Sequence, residues 1–131
     1  INYLHRSQSI EELVALYLAA DVMLVTPVRD GMNLVCKEFI AARTDDTGVL
    51  VLSEFTGAAE SLGSALLINP YDTDGLKNAI DRAVHLPEAD VRRRMELLRE
   101  SVMTNDVYAW AQSWMVALGI ESEHDDAGAP S

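Results

Sequence analysis

An α/β fold with a doubly wound parallel sheet is what this sequence predicts, on three observations. Short, continuous apolar runs recur at 22–25, 49–52 and 65–68. Segments whose apolar residues follow helical spacing stand between and after these runs. None of the runs alternates apolar with polar residues, as a strand with one wet face would. A parallel sheet covered by helices on both faces accounts for that.

Taken in order, Ser9 and Glu12 have capping-box spacing, so a helix starts after Ser9. Leu13, Leu16, Tyr17 and Ala20 carry its apolar stripe. Asp21 ends that helix and opens the strand Val22–Val25. A loop containing Gly31 follows, and Val35, Phe39 and Ala42 set a second helix that runs to about Ala42. Thr44-Asp45-Asp46-Thr47-Gly48 is a polar turn before the strand Val49–Leu52. Ser53 to Ala59 reads as a loop and short helix, and Ala65–Ile68 as a third strand stopped by Asn69-Pro70.

Thr73 to His85 is amphipathic, with Leu76, Ile80 and Val84 on one side. Pro87 begins another helix, whose stripe is Val91, Met95, Leu98 and Val102. A last helix is expected over 107–118, with Trp110 and Trp114 four residues apart as packing residues. Residues 119–131 are acidic and poor in apolar side chains, which predicts a disordered tail. Three strands are few for an open sheet, and residue 1 is Ile. The expectation is a piece of something longer.

The chain has 131 residues, 49% of them hydrophobic, enough for one domain with its own core. Its formal net charge of −11 argues against a nucleic-acid partner, which would call for a basic face. No apolar run is long enough to cross a bilayer, and no signal-peptide pattern opens the chain. One cysteine, Cys36, excludes an internal disulfide and suits a reducing cytoplasm. With that cysteine and three scattered histidines, no metal ion or other cofactor is implied.

The chemistry lies between the first strand and the second helix, in Arg29-Asp30-Gly31-Met32-Asn33-Leu34-Val35-Cys36-Lys37-Glu38. Strand, glycine-containing loop and helix start bring free backbone N–H groups and the positive end of a helix dipole to the sheet edge where ligands bind. Gly31 lets a ligand approach the backbone closely. The N–H groups of Asn33, Leu34 and Val35 could serve a diphosphate, with Arg29 or Lys37 adding positive charge. Glu38, one turn further on, could accept from two vicinal ribose hydroxyls, and Asp30 from the hydroxyls of a sugar. Phosphate with sugar hydroxyls means a nucleotide-sugar. The plain alternative is an ordinary Asp-Gly turn before a helix whose first-turn charges are merely solvated.

The run from Arg29 to Val35, with Lys37-Glu38, resembles the donor-binding motif of the trehalose-6-phosphate synthases. The likeness continues through Leu24-Val25-Thr26-Pro27, through Gly48 to Ala59, through Ala65-Leu66-Leu67-Ile68-Asn69-Pro70-Tyr71-Asp72, and to Asn105-Asp106-Val107 with Trp110. It covers about Tyr3 to Leu118. These are retaining glycosyltransferases of the GT-B architecture, with two Rossmann-like domains. The resemblance implies that residues 1–118 are the C-terminal portion of the donor domain, a partial Rossmann-like sheet. Its last helix would pack toward an N-terminal domain. Without that domain Trp110 and Trp114 would be exposed and favour a homo-oligomer.

The resemblance also implies roles. Asp30 would bind hydroxyls of the donor glucose. Backbone at Gly31, Met32, Asn33, Leu34 and Val35 would hold glucose and diphosphate oxygens, with Leu34 and Val35 at the phosphates. Glu38 would hold the ribose. The backbone near Gln8 would contact the base, and Gln stands where many members have an aromatic, which leaves UDP, ADP and GDP all open. Cys36, where Ala is common, is either a reactive thiol beside the anion site or a small core residue. His5, near the expected base site, reads as incidental.

The implied reaction moves glucose from UDP-glucose to glucose 6-phosphate with retention, giving trehalose 6-phosphate. The family's acceptor site and the Arg and Lys that clamp the diphosphate lie upstream of the segment matched here. The expectation is therefore that this chain alone binds nucleotide weakly and transfers nothing. Two other readings stand beside this one. One is a non-catalytic module that binds a nucleotide or a partner, and the other is a related GT-B transferase with another acceptor.

Overall fold

The computed structural model describes residues 1–105. The expected helix over 107–118, with both tryptophans, and the tail over 119–131 lie outside the described residues. The elements run α1 (Ile10–Ala19), β1 (Val22–Val25), α2 (Leu34–Ala42), β2 (Val49–Ser53), a 3₁₀ turn (Gly57–Glu60), β3 (Leu66–Ile68), α3 (Thr73–Val84) and α4 (Glu88–Thr104).

The expected capping box forms at the start of α1. Ser9 Oγ accepts from the Glu12 N–H at 3.2 Å, and Glu12 Oε2 accepts from the Ser9 N–H at 2.9 Å. The stripe on that helix is narrower than its spacing suggested. Tyr17 is buried and Leu13 partly so, whereas Leu16 faces solvent.

The three strands are parallel in the order β1-β2-β3, with Val22 opposite Val49 and Val51 opposite Leu66. The two-residue period of a strand divides β2 between two cores. Leu50 and Leu52 point to a cluster with Tyr17, Phe39, Ile40, Met95 and Leu98, built by α1, α2 and α4. Val49 and Val51 point the other way, to Leu66, Ile68 and Ala83, with Leu76 and Ala79 of α3 against them. Helices thus cover both faces, as a doubly wound sheet requires. Each fully buried side chain of the Phe39 or Leu52 kind contributes roughly 1.5–3 kcal/mol. Among the described residues only the central strand is covered throughout, because β1 and β3 lie outermost there and leave Leu24 and Leu67 exposed.

The turn between α2 and β2 is built around a buried cation. Arg43 is 3% exposed and donates through Nη1 to the carbonyls of Tyr17 (2.8 Å) and Leu18 (2.6 Å), and through Nε to that of Thr47 (3.0 Å). Its guanidinium pairs with Asp45 at 3.3 Å and lies 5.8 Å from the Phe39 ring centroid. Arg43 therefore ties the end of α1 to the end of α2. Gly48, at φ +85°, lies where a Cβ would press on Phe39 and Arg43. Among the described residues no helix is long and apolar enough to cross a membrane.

Candidate functional site

The loops leaving the carboxyl ends of β1 and β2 are stitched together. Asp30 and Thr56 form an isolated parallel bridge, and the Gly57 N–H donates to the Asp30 carbonyl at 3.0 Å. A Cβ on Gly57 would stand 2.1 Å from the Gly31 carbonyl oxygen, so only glycine fits there. Gly31 is different, since a Cβ on it would meet nothing within 4 Å. Its lack of a side chain leaves the outer face of the loop bare rather than relieving a clash.

Asp30 organises the loop. Its Oδ1 accepts from the Met32 N–H at 3.2 Å and its Oδ2 from Asn33 Nδ2 at 2.8 Å. These bonds, the one from Asn33 first, hold the carboxyl below the ordinary carboxylate range. It is ionised at neutral pH, with lone pairs left on both oxygens. Asn33 is the N-cap of α2 and takes a left-handed backbone at φ 60°, which Asn tolerates. Its Oδ1 accepts from the Cys36 N–H at 3.0 Å. Among the described residues, no acceptor is bonded to the N–H groups of Leu34 and Val35, the two orphan donors of the first turn.

Cys36 itself is fully buried and its Sγ donates to the Asn33 carbonyl at 3.1 Å. Burial pushes the thiol up to about 11. Of the two readings of this residue, the small core side chain is the one the geometry supports.

Glu38 lies one turn beyond Leu34, on the exposed side of α2. Its Oε2 accepts a 2.9 Å hydrogen bond from the Tyr17 hydroxyl of α1. The Tyr17 ring packs edge-on against Phe39 with centroids 6.2 Å apart. Burial, then the neighbouring carboxylate, pushes the Tyr17 phenol up to about 12, so it remains a donor.

A cleft of about 760 Å³ opens beside this loop. Gly31, Met32, Leu34, Lys37, Glu38 and Ala41 form one wall. Gly57 and Ala58 of the 3₁₀ turn, Ser61 just after it, and Val102, Met103 and Asn105 at the end of α4 face them. Ser101 Oγ, donating to the Ser61 carbonyl at 2.6 Å, holds α4 over that turn. A second groove, of about 540 Å³, runs along β3 and α3 past Asn78, Arg82 and Arg94 and shares no residue with the first.

Of the residues predicted from sequence, Gly31, Met32, Leu34 and Glu38 line one cleft, with Lys37 as the cation. Asp30, Asn33 and Val35 belong to the same loop and first turn without lining it. Gln8 is not brought there. Its side-chain amide donates to the Arg6 carbonyl at 3.1 Å, in the segment before α1. Arg29 is exposed and lines no wall of this cleft. His5 stacks on Tyr3 with centroids 5.6 Å apart. Tyr17 and Gly57 were not predicted as site residues. Tyr17 reads in the sequence only as part of a helix stripe, and Gly57 only as part of a turn.

The family model for glycosyltransferase family 20 matches residues 1–119. The trehalose-6-phosphate synthase of Mycolicibacterium smegmatis is 52% identical over 128 residues, covering 98% of this chain and 25% of that protein. A solved structure from E. coli, bound with UDP-2-fluoro glucose, superposes with a TM-score of 0.84 at 42% identity, covering 88% of this chain and 26% of that one. An alpha,alpha-trehalose-phosphate synthase (UDP-forming) from Burkholderia xenovorans, in complex with glucose-6-phosphate, gives a TM-score of 0.84 at 42% identity, covering 89% and 26%. The chain thus spans about a quarter of the length of the relatives it matches.

Proposed function

The chain belongs to glycosyltransferase family 20, and from that premise we propose that it forms the donor side of a trehalose-6-phosphate synthase. The reaction would transfer glucose from UDP-glucose to glucose 6-phosphate with retention. Relatives whose structures hold UDP-2-fluoro glucose and glucose-6-phosphate support that pair of substrates. A cytoplasmic setting goes with the reading.

One observation carries the donor assignment. The N-terminus of α2 leaves the Leu34 and Val35 N–H groups without acceptors among the described residues, and the Glu38 carboxylate follows one turn later on the wall that Leu34 also lines. One helical turn is about 5.4 Å, comparable to the span from the inner phosphate of a nucleotide to its own ribose hydroxyls. Phosphate oxygens would take the two N–H donors and the helix dipole, worth roughly 0.3–1 kcal/mol and up to about 2 kcal/mol when partly buried. Lys37 would add charge on the same wall. Glu38 would accept from the ribose hydroxyls, and the lone pairs left on Asp30 from hydroxyls of the glucose. In the transition state the leaving diphosphate gains negative charge, and fixed N–H donors favour that state over the ground state.

Calorimetric titration with UDP and with UDP-glucose tests these roles. Glu38→Ala is expected to weaken both ligands about tenfold, as loss of a charged hydrogen bond would. Asp30→Ala is expected to weaken UDP-glucose more than UDP, because only the former carries the sugar. Variants that remain folded by circular dichroism and bind both ligands like the parent would refute the assignment.

A further inference from the structure

We infer that Tyr17 is a positioning residue for the nucleotide. Its hydroxyl fixes the Glu38 carboxylate in the orientation that receives the ribose. This rests on the donor reading above and names a residue, on a different helix, that the reading does not contain.

The physical problem is the freedom of a glutamate. Glu38 stands on the exposed side of α2 and has three side-chain torsions to fix. Ordering such a side chain on binding costs free energy, and a carboxylate held in place beforehand avoids that cost. Tyr17 supplies the hold. It is 7% exposed and sits in the core formed with Phe39, Ile40 and Leu50, so its ring has no room to turn away. Its phenol oxygen donates to Glu38 Oε2 at 2.9 Å. One oxygen of Glu38 is thereby anchored. Oε1, together with the remaining lone pair of Oε2, is left to accept from two vicinal hydroxyls.

The anchor is itself fixed from behind. Arg43 donates to the carbonyls of Tyr17 and Leu18, which sets the end of α1 against α2. The route runs from a buried guanidinium to the backbone of Tyr17, and from its phenol to the carboxylate. A structural role alone would ask only for an aromatic ring at position 17. The hydroxyl, aimed at the one acid on the cleft wall among the described residues, is what points to the ligand.

The test compares the parent chain, Tyr17→Phe, Glu38→Gln and the double variant by NMR titration with UDP and with its 2′,3′-dideoxy analogue. Phe keeps the ring and the core, and the spectra report whether each variant is folded. Tyr17→Phe is expected to weaken UDP about fivefold, the scale of the cost of immobilising one free side chain on binding, and to leave the dideoxy analogue unchanged. In the Glu38→Gln background it is expected to add nothing further. If Glu38→Gln weakens UDP and Tyr17→Phe does not, the positioning role is overturned while the donor reading stands. Equal loss for UDP and the dideoxy analogue also overturns it, because the hydroxyl would then act through packing. If Glu38→Gln binds UDP like the parent, or the parent shows no binding at millimolar UDP, the donor reading fails and this inference with it.

Discussion

At Cys36 the sequence allows a reactive thiol or a small core residue, and the surroundings decide for the second. A cysteine in the first turn of a helix beside an anion site would ordinarily be acidified and reactive. Here complete burial outweighs the helix end and pushes the thiol up to about 11 from an ordinary value of 9.0. Burial favours the neutral thiol, so its contribution to stability is complete below about pH 9 and is lost as pH rises through about 11. The urea midpoint of the parent is therefore expected to fall more steeply between those two pH values than that of Cys36→Ala. Parallel curves would contradict the buried-thiol account. Tyr17, pushed up from 10.0 to about 12, adds a loss between those two pH values in both proteins, so it cancels in the comparison. Asp30, Gly31, Met32, Leu34 and Glu38 were legible as a group because they are close in sequence and one helical turn sets their spacing. Tyr17 and Arg43 were not. Their roles arise where α1 packs on α2, and no local pattern encodes a bond between residues 21 or 26 positions apart.

Among the elements, the strands and helices were legible because apolar period and capping chemistry are local properties. The capping box at Ser9 and the apolar run of β2 formed where the residues called for them, and α3 starts at Thr73 as expected, capped by Asp72, which accepts from the Gly75 N–H at 2.9 Å. Exposure of Leu24 and Leu67 was not legible, since it depends on which strands lie outermost. Nor was the stitching of the two loops. Gly57 reads as an ordinary turn glycine, yet it permits the approach of the 3₁₀ turn to the Gly31 carbonyl. Gly57→Ala must displace one loop or the other. The expected cost is about 1–3 kcal/mol in urea unfolding, as for other overpacked sites, together with a severalfold loss of UDP affinity. Gly63→Ala, where a Cβ meets nothing within 4 Å, is the control and is expected to change neither. Equal behaviour of the two variants would show that the loop contact does not shape the site.

The whole molecule sets a constraint of a different kind. A chain of net charge −11 has an unfavourable long-range field for a diphosphate. Diphosphate binding as proposed would then rest on short-range terms, which are the open N–H groups at the start of α2, its dipole, and Lys37 on the cleft wall. The groove along β3 has two arginines, Arg82 and Arg94, and on charge alone would be the better place for an anion. On the proposed donor reading, backbone geometry decides against that groove. Amide chemical shifts followed during titration with UDP test it most directly. The largest shifts are expected on Leu34, Val35 and their neighbours from Gly31 to Glu38, saturating together. Shifts concentrated along Ala65 to Asn69, Asn78 and Arg82 would contradict it.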